Sequence, residues 1–316
     1  MPRYAPRHSK QSPHLTRRLA LGAGVGTMVS IAAATSADAY VGTSLPTLPD
    51  TPKFSVAPGS NTIDPMLRGD WTYDPFPGLA SALTTNDKTF IAQCIAAQRR
   101  QSWWTYAAIH ARTVTRTVTT VNIGTLLHTK PTFASKSTAL IRNGESITGH
   151  YVDPNWFAIT SGRYTGLFVS TACVHYNDIP RNGLLAQSAL VTLPNYLRAN
   201  TSTTSAYLNP QAAKQLVYMN AAWRMSRGTN LRINEGYRTL ETQKRYYKDL
   251  GPDIAQPPGN SNHGLGLAMD ISANPFPYNS AGEKWINSYA SYFGFNRPSI
   301  YDNPSDWEAW HINFVG

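Results

Sequence analysis

The sequence predicts a multi-domain chain in which a small all-β barrel is followed by an α+β domain. Three observations carry that expectation. The 316 residues are enough for two modest domains, and 41% hydrophobic against 15% charged residues is too apolar for a wholly disordered chain. Between about Thr113 and Tyr176 the texture turns to short β-prone runs (TVTRTVTTV, TALI, ESITGHYV, WFAIT, GLFVS) separated by Gly, Asn and Pro. Further on, Asn209 caps Pro210 at a first helical position, and QAAKQLVYMNAAWRMSR continues until Gly228 stops it. Leu216, Met219 and Trp223 mark the apolar face of that helix, which opens the last domain.

In chain order, residues 1–39 read as a secretory signal peptide. Arg3, Arg7, Lys10, Arg17 and Arg18 form a basic n-region, Leu19–Ala37 is uncharged, and Ala37, Asp38 and Ala39 form an A-x-A-like cleavage site. Arg17-Arg18 directly before the apolar run also resembles a twin-arginine signal, so both export routes stay open. An uncleaved anchor is the alternative. The run is mostly Gly, Ala, Ser and Thr and is the one weak stretch of membrane length, which excludes a polytopic membrane protein. No stable membrane insertion is expected once the signal is cleaved.

Removing residues 1–39 takes away five basic residues and Asp38, which lowers the formal charge from +10 to +6. That surplus favours anionic surfaces such as a cell wall or nucleic acid. Residues 40–84 are rich in Pro, Gly, Ser and Thr and read as an extended linker. Residues 85–112 read as a helical segment with its cap at Asn86 or Asp87 and an apolar stripe of Phe90, Ile91, Cys94, Ile95 and Ala97. The barrel is expected at 113–176, a second linker at 177–206 and the final domain at 207–316. Two cysteines, Cys94 and Cys173, exclude a disulfide scaffold and a four-thiolate zinc site but leave one bridge open. His110, His128, His150 and His175 lack metal-ligand spacing and read as surface histidines.

Within the β-rich stretch, Pro131 precedes a strand, Gly144 a turn, Trp156 begins a strand, and Gly166 and Val169 mark a closing strand. This order is similar to a bacterial Src-homology-3-like wall-targeting domain. Where that family begins with Asn-Val-Arg-Ser-Gly-Pro, this chain has Leu-His-Thr-Lys-Pro. The resemblance implies a cell-wall partner for the barrel; a barrel serving only as a spacer is the other reading.

Chemistry concentrates near the C-terminus. In Ser261-Asn262-His263-Gly264-Leu265-Gly266-Leu267-Ala268-Met269-Asp270, period-two alternation sets Leu267, Met269 and Ile271 on one strand face and Ala268 with Asp270 on the other. His263 lies seven residues before Asp270, so a turn at Gly264 or Gly266 is needed to bring the two together. At the end of the chain, Trp310, Ile312 and Phe314 alternate with His311 and Asn313, and Glu308 belongs to the turn before that strand. Two histidines and one aspartate make three ligands and leave a tetrahedral zinc ion an open position for water. The remaining glutamate can take a proton and return it to a leaving amine, which is an amide hydrolase design.

Ser-x-His-x-x-Gly-x-Ala-x-Asp followed by Glu-x-Trp-His is similar to the signature of the VanY-type zinc D-alanyl-D-alanine carboxypeptidases. A further shared element is Gly236-Tyr237-Arg238-Thr239 with Gln243. The resemblance covers about residues 207–316 and implies an α+β fold of the hedgehog/D,D-peptidase type. It also implies that His263, Asp270 and His311 bind zinc, that Glu308 is the catalytic base, and that Arg238 holds substrate carbonyl or carboxylate oxygens. Ser261 and Gln243 match substrate-pocket positions. Arg238 in an ordinary ion pair with Glu235 or Glu241 is the structural alternative. Lys244, Arg245 and Lys248 read as a solvated helix face, and Trp307 and Trp310 as core packing or as stacking surfaces for sugar or peptide.

The expectation is therefore a secreted, wall-associated zinc peptidase acting on peptidoglycan stem peptides, most simply by removing a terminal D-alanine. An endopeptidase with the same ligands and a non-catalytic wall-binding protein are the competing readings. Nucleic acid is not expected as a partner, because the sequence has no phosphate-cradling Gly-rich loop and no carboxylate cluster.

Overall fold

The computed structural model describes residues 76–100, 115–121, 124–135, 137–152, 155–175, 180–199, 207–252, 254–272, 279–297 and 308–316. The expected signal peptide, most of the 40–84 stretch, His110 and Trp307 lie outside the described residues. No helix among the described residues is long and apolar enough to cross a membrane.

The first helices are a short turn, α1 (Leu79–Ala82), and α2 (Thr85–Arg99). The cap of α2 is Thr84 rather than Asn86 or Asp87. Thr84 Oγ1 accepts the Asp87 N–H at 3.1 Å, and the Asp87 carboxylate accepts the Thr84 N–H at 2.9 Å. This capping box satisfies two otherwise orphaned groups of the first turn and moves the start of the helix upstream of the expected position. Phe90, Ile91, Cys94 and Ala97 are buried, as their spacing requires. They join the core of α3 (Pro210–Arg227), and a 2.7 Å ion pair between Asp87 and Arg224 fixes one helix to the other. The termini of α3 are those read from the sequence: Asn209 accepts the Gln211 N–H, Pro210 stands at the first position, and Gly228 ends the helix.

Seven antiparallel strands form the next layer: β1 (Arg116–Thr120), β2 (Thr125–His128), β3 (Ser137–Ile141), β4 (Ser146–Tyr151), β5 (Trp156–Ser161), β6 (Phe168–Ser170) and β7 (Val174–His175). Their order is β3-β2-β6-β5-β4-β1-β7. The all-β texture is present, but among the described residues the sheet is open, with β3 and β7 at its ends. Strand β7, two residues long, pairs only with Thr119 and Thr120 of β1. One side is sealed by Val118, Leu127, Ile141, Phe157, Ile159 and Val169. Gly144 lies in a turn and Trp156 begins β5, as read from the sequence, whereas Gly166, read as part of the closing strand, lies in the turn before β6.

His128 is not a surface residue. Strand β2 lies between β3 and β6, so its last side chain is driven into the interior, where it is 1% exposed and meets the Trp156 ring edge to face at 5.2 Å. Its Nε2 lies 2.9 Å from Gly316 O and its Nδ1 3.3 Å from Ser135 O. No disulfide joins Cys94 and Cys173; both are buried, and burial pushes the Cys94 thiol up to about 12.

Part of the expected second linker is packed. Leu190, Val191, Leu193 and Leu197 are buried, and β8 (Val191–Thr192) pairs with β9 (Tyr207–Leu208). After α3 comes a four-stranded antiparallel sheet built from β10 (Ile233–Glu235), β11 (Ala268–Ile271), β12 (Phe295–Asn296) and β13 (His311–Phe314), in the order β10-β11-β13-β12. Helices α4 (Leu240–Leu250) and α5 (Ala281–Tyr289) connect the strands. The two sheets share a core: Phe133 lies between Trp156, at 4.7 Å, and Phe314, at 5.7 Å. Leu126 N–H also donates to Val315 O at 2.8 Å.

Candidate metal centre

Two adjacent strands of the small sheet set the site. Asp270 of β11 and His311 of β13 are directly opposed in the antiparallel register, and Glu235 of β10 is opposed to Asp270 on the other side. Cross-strand partners on one face lie within side-chain reach, so pairing alone delivers the carboxylate to the imidazole. Their Oδ1 and Nδ1 atoms are 3.0 Å apart. His263 arrives differently. It sits in a 3-10 turn, Asn262–Leu265, closed by Gly266 at φ 65°, a left-handed conformation that favours glycine and redirects the chain into β11. This is the turn that the odd spacing from Asp270 demands.

The three side chains converge. His263 Nε2 lies 3.3 Å from His311 Nδ1 and 3.5 Å from Asp270 Oδ1, and a ligand atom from each residue lies within 4.8 Å of the others. The opposite nitrogens are engaged elsewhere. His263 Nδ1 donates to Gly236 O at 2.7 Å, and His311 Nε2 donates to Asn313 Oδ1 at 3.1 Å. With those protons committed outward, both inward nitrogens present lone pairs, and Asp270 adds a carboxylate oxygen. Such converging acceptors need positive charge among them: without a metal, a proton shared by His311 Nδ1 and Asp270 Oδ1 at 3.0 Å supplies it, and a divalent cation can take its place. The donor set therefore fits a divalent metal of the zinc type, with the acceptor behind each imidazole fixing its tautomer.

The electrostatics agree. Burial alone would raise the Asp270 pKa, but the adjacent His263 and His311 overcome it and hold the carboxyl well below the usual range. For His311, burial opposes protonation, yet the hydrogen bond and charge of Asp270, with the charge of Glu308, hold its pKa above the ordinary value. Glu308 stands where the sequence places it, in the turn before β13, where its carbonyl accepts the His311 N–H at 3.0 Å.

Arg238 lies at the same end of the sheet. Its Nε and Nη2 both bond the Glu235 carboxylate at 2.7 Å, and its guanidinium lies over the Tyr246 ring at 4.7 Å. The ion pair with Glu235 is thus present, in the bidentate form that fixes the plane of the fork. The fork's Nη1 edge is the one turned from Glu235. Ser261 and Gln243 are buried; the Ser261 backbone carbonyl accepts from Asn182 Nδ2 at 2.8 Å, and the Gln243 side chain is turned into the scaffold, where its Oε1 accepts the Gly259 N–H at 2.7 Å. Lys244, Arg245 and Lys248 are exposed, as expected.

Two supporting residues had different visibility in the sequence. Asn313 shares the polar face of its strand with His311, so period-two alternation could have paired them. Asn182 is distant in sequence and carries no local signal.

Parts of this chain are similar to known proteins. Residues 205–316 match the family model described as VanY: D-alanyl-D-alanine carboxypeptidase. A curated D-alanyl-D-alanine carboxypeptidase of Enterococcus faecium is 36% identical over 93 residues, 27% of this chain and 29% of the relative. The putative carboxypeptidase YodJ of Bacillus subtilis (strain 168) is 30% identical over 131 residues, 35% of this chain and 47% of the relative. The chain thus spans less than half the length of either. Among solved structures, the LD-carboxypeptidase LdcB is similar at 28% identity and a TM-score of 0.36, over 42% of this chain and 71% of that one. A VanY D,D-pentapeptidase from the VanB-type resistance cassette, in complex with Zn(II), is similar at 21% identity and a TM-score of 0.30, over 40% of this chain and 83% of that one. Residues 205–316, which hold both imidazoles and the carboxylate, are thus the part of the chain that matches the VanY family model.

Proposed function

We propose that this protein is a zinc-dependent peptidase that hydrolyses peptidoglycan stem peptides, removing the terminal D-alanine as a D-alanyl-D-alanine carboxypeptidase. The observation that carries the reading is the convergence of His263 Nε2, His311 Nδ1 and Asp270 Oδ1 inside the segment that matches VanY. Those three residues would hold the metal, which when bound supplies the Lewis acidity that brings the pKa of water towards neutrality.

The remaining steps belong to the chain's own side chains. Glu308 is the base: its carboxylate takes the proton of the attacking water and hands it to the departing amine. Arg238 receives the carboxylate or carbonyl oxygen of the stem peptide on the guanidinium edge turned away from Glu235. Because Glu235 and Tyr246 already hold that guanidinium, little side-chain freedom is lost when substrate docks.

The seven-stranded sheet is the wall-binding part, a reading supported by its Src-homology-3-like residue order and by the basic charge of the chain. Export through the signal at residues 1–39 delivers the protein outside the cell, to the wall.

The test is incubation of residues 40–316, loaded with zinc, with defined cross-linked and uncross-linked muropeptides. Loss of a single alanine mass, abolished by a chelator, is the expected result. Cleavage inside the stem or cross-bridge would convert the assignment to an endopeptidase, and no cleavage would overturn the peptidase reading. Pelleting of the zinc-free protein with insoluble peptidoglycan checks wall binding separately.

A further inference from the structure

The loop that carries His263 is held by residues that lie outside the family-matched segment. Asn182 Nδ2 donates to Ser261 O at 2.8 Å, and Gly183 N–H donates to Gly264 O at 2.7 Å, so one dipeptide grips the chain on both sides of His263. The same dipeptide reaches the Arg238 element. Gly183 O accepts the Leu240 N–H at 2.8 Å, one of the first-turn donors of α4 that has no partner within the helix. Asn182 Oδ1 accepts from Gln243 Nε2 at 2.9 Å, and the Leu185 N–H donates to the Tyr237 hydroxyl at 3.1 Å. Between the two gripped elements, Arg238 N–H donates to His263 O at 3.0 Å.

From this arrangement we infer that Asn182 is a positioning residue for the metal centre: it sets the backbone of Ser261–Gly264 and thereby the place of His263 Nε2 relative to Asp270 and His311. The physical basis is that Asp270 and His311 are placed by strand pairing, whereas His263 sits on a short turn whose position depends on what is bonded to it. A primary amide suits the task because its nitrogen donates to Ser261 O while its separate oxygen accepts from Gln243 Nε2. The partners of Gln243 lie within the scaffold, so it acts here as the second half of the same bridge. The inference rests on the zinc reading given above.

The test measures zinc affinity of the full chain by competition with a chromogenic chelator, without any peptidase substrate. Asn182→Ala is expected to weaken zinc binding about 10- to 100-fold, the range found when groups behind a ligand are removed. Asn182→Asp keeps the size and the acceptor for Gln243 but sets an oxygen against Ser261 O, and is expected to weaken binding as well. Gln243→Ala combined with Asn182→Ala is expected to cost little more than either alone, because the two groups act through one bridge.

As a control for simple destabilisation, Phe157→Leu, in the separate core of the seven-stranded sheet, should lower the melting temperature of the metal-free protein without moving zinc affinity. Zinc affinity within twofold of wild type in Asn182→Ala would overturn the inference. If that variant does not fold, Asn182→Asp decides by the same criterion. A wild-type chain that takes up no zinc would remove the metal reading itself; wild type and Asn182→Ala binding zinc equally would remove only the role of Asn182.

Discussion

His311 and Asn313 lie two residues apart on the same face of β13, and the Asn313 side-chain oxygen accepts the His311 Nε2 proton at 3.1 Å. That contact decides which nitrogen turns towards Asp270. Replacing Asn313 by Ala leaves the imidazole free to rotate or to change tautomer, and zinc affinity is expected to fall about 10- to 100-fold. Asn313→Asp keeps the acceptor and should recover most of the loss. Chelator competition on the three proteins checks both statements.

In the proposed mechanism Asp270 serves metal binding and Glu308 proton transfer, and variants separate the two. Asp270→Ala leaves two imidazoles and removes the one formal charge among the ligands, so zinc should be lost on dialysis. Glu308→Gln should retain zinc while turnover of muropeptide falls by about 10²- to 10⁴-fold. Metal analysis alongside the rate distinguishes the two; zinc loss from Glu308→Gln would exchange the assigned roles of ligand and base.

Arg238, the proposed substrate-binding residue, also neutralises Glu235. Its side chain and that of Glu235 are 14% and 15% exposed, so Arg238→Ala leaves a carboxylate largely out of water without its partner. The melting temperature should drop by an amount corresponding to about 3 kcal/mol. Arg238→Lys keeps the charge but not the fork. It should melt closer to wild type while KM for the stem peptide rises more than kcat falls.

The buried imidazole of His128 makes stability depend on pH. Burial holds its pKa below the ordinary value of about 6.5. Below that value the unfolded chain takes up a proton that the folded chain refuses, so stability decreases as pH falls from about 6.5 towards the lowered folded value. His311 in the metal-free chain has the opposite sign, since its pKa is raised and its contribution is lost as pH rises. Urea midpoints of zinc-loaded wild type and His128→Gln, compared at pH 7 and pH 5.5, isolate the first effect. The difference between the two proteins should shrink at the lower pH.

Where local rules act, the sequence was legible. Asn209, Pro210 and Gly228 delimit α3 because caps are decided by a few neighbouring residues, and alternation in Leu267–Ile271 and Trp310–Phe314 places Asp270 and His311 on the polar faces of their strands. The three converging residues were legible for the same reason: Asp270 and His311 follow from strand period and His263 from a glycine turn. Tertiary packing hid the rest. His128 looks like a polar residue at a strand end, and only its position between β3 and β6 makes it interior. Residues 180–199 have the composition of a connector, yet Val191, Leu193 and Leu197 join the core that holds the buried face of α3 and Ile233 of β10. The open order of the seven-stranded sheet depends on which strands pair at its edges, a long-range choice that alternating residues do not encode.

Gly264 deserves a different explanation from the one its place in a turn suggests. A methyl group there would collide with both Asn182 Oδ1 and Gln243 Nε2. Its missing side chain is thus the cast of an amide that enters from some eighty residues upstream. In relatives that carry no amide at the positions of Asn182 and Gln243, alanine at the position of Gly264 should become tolerable, so the three positions are expected to change together.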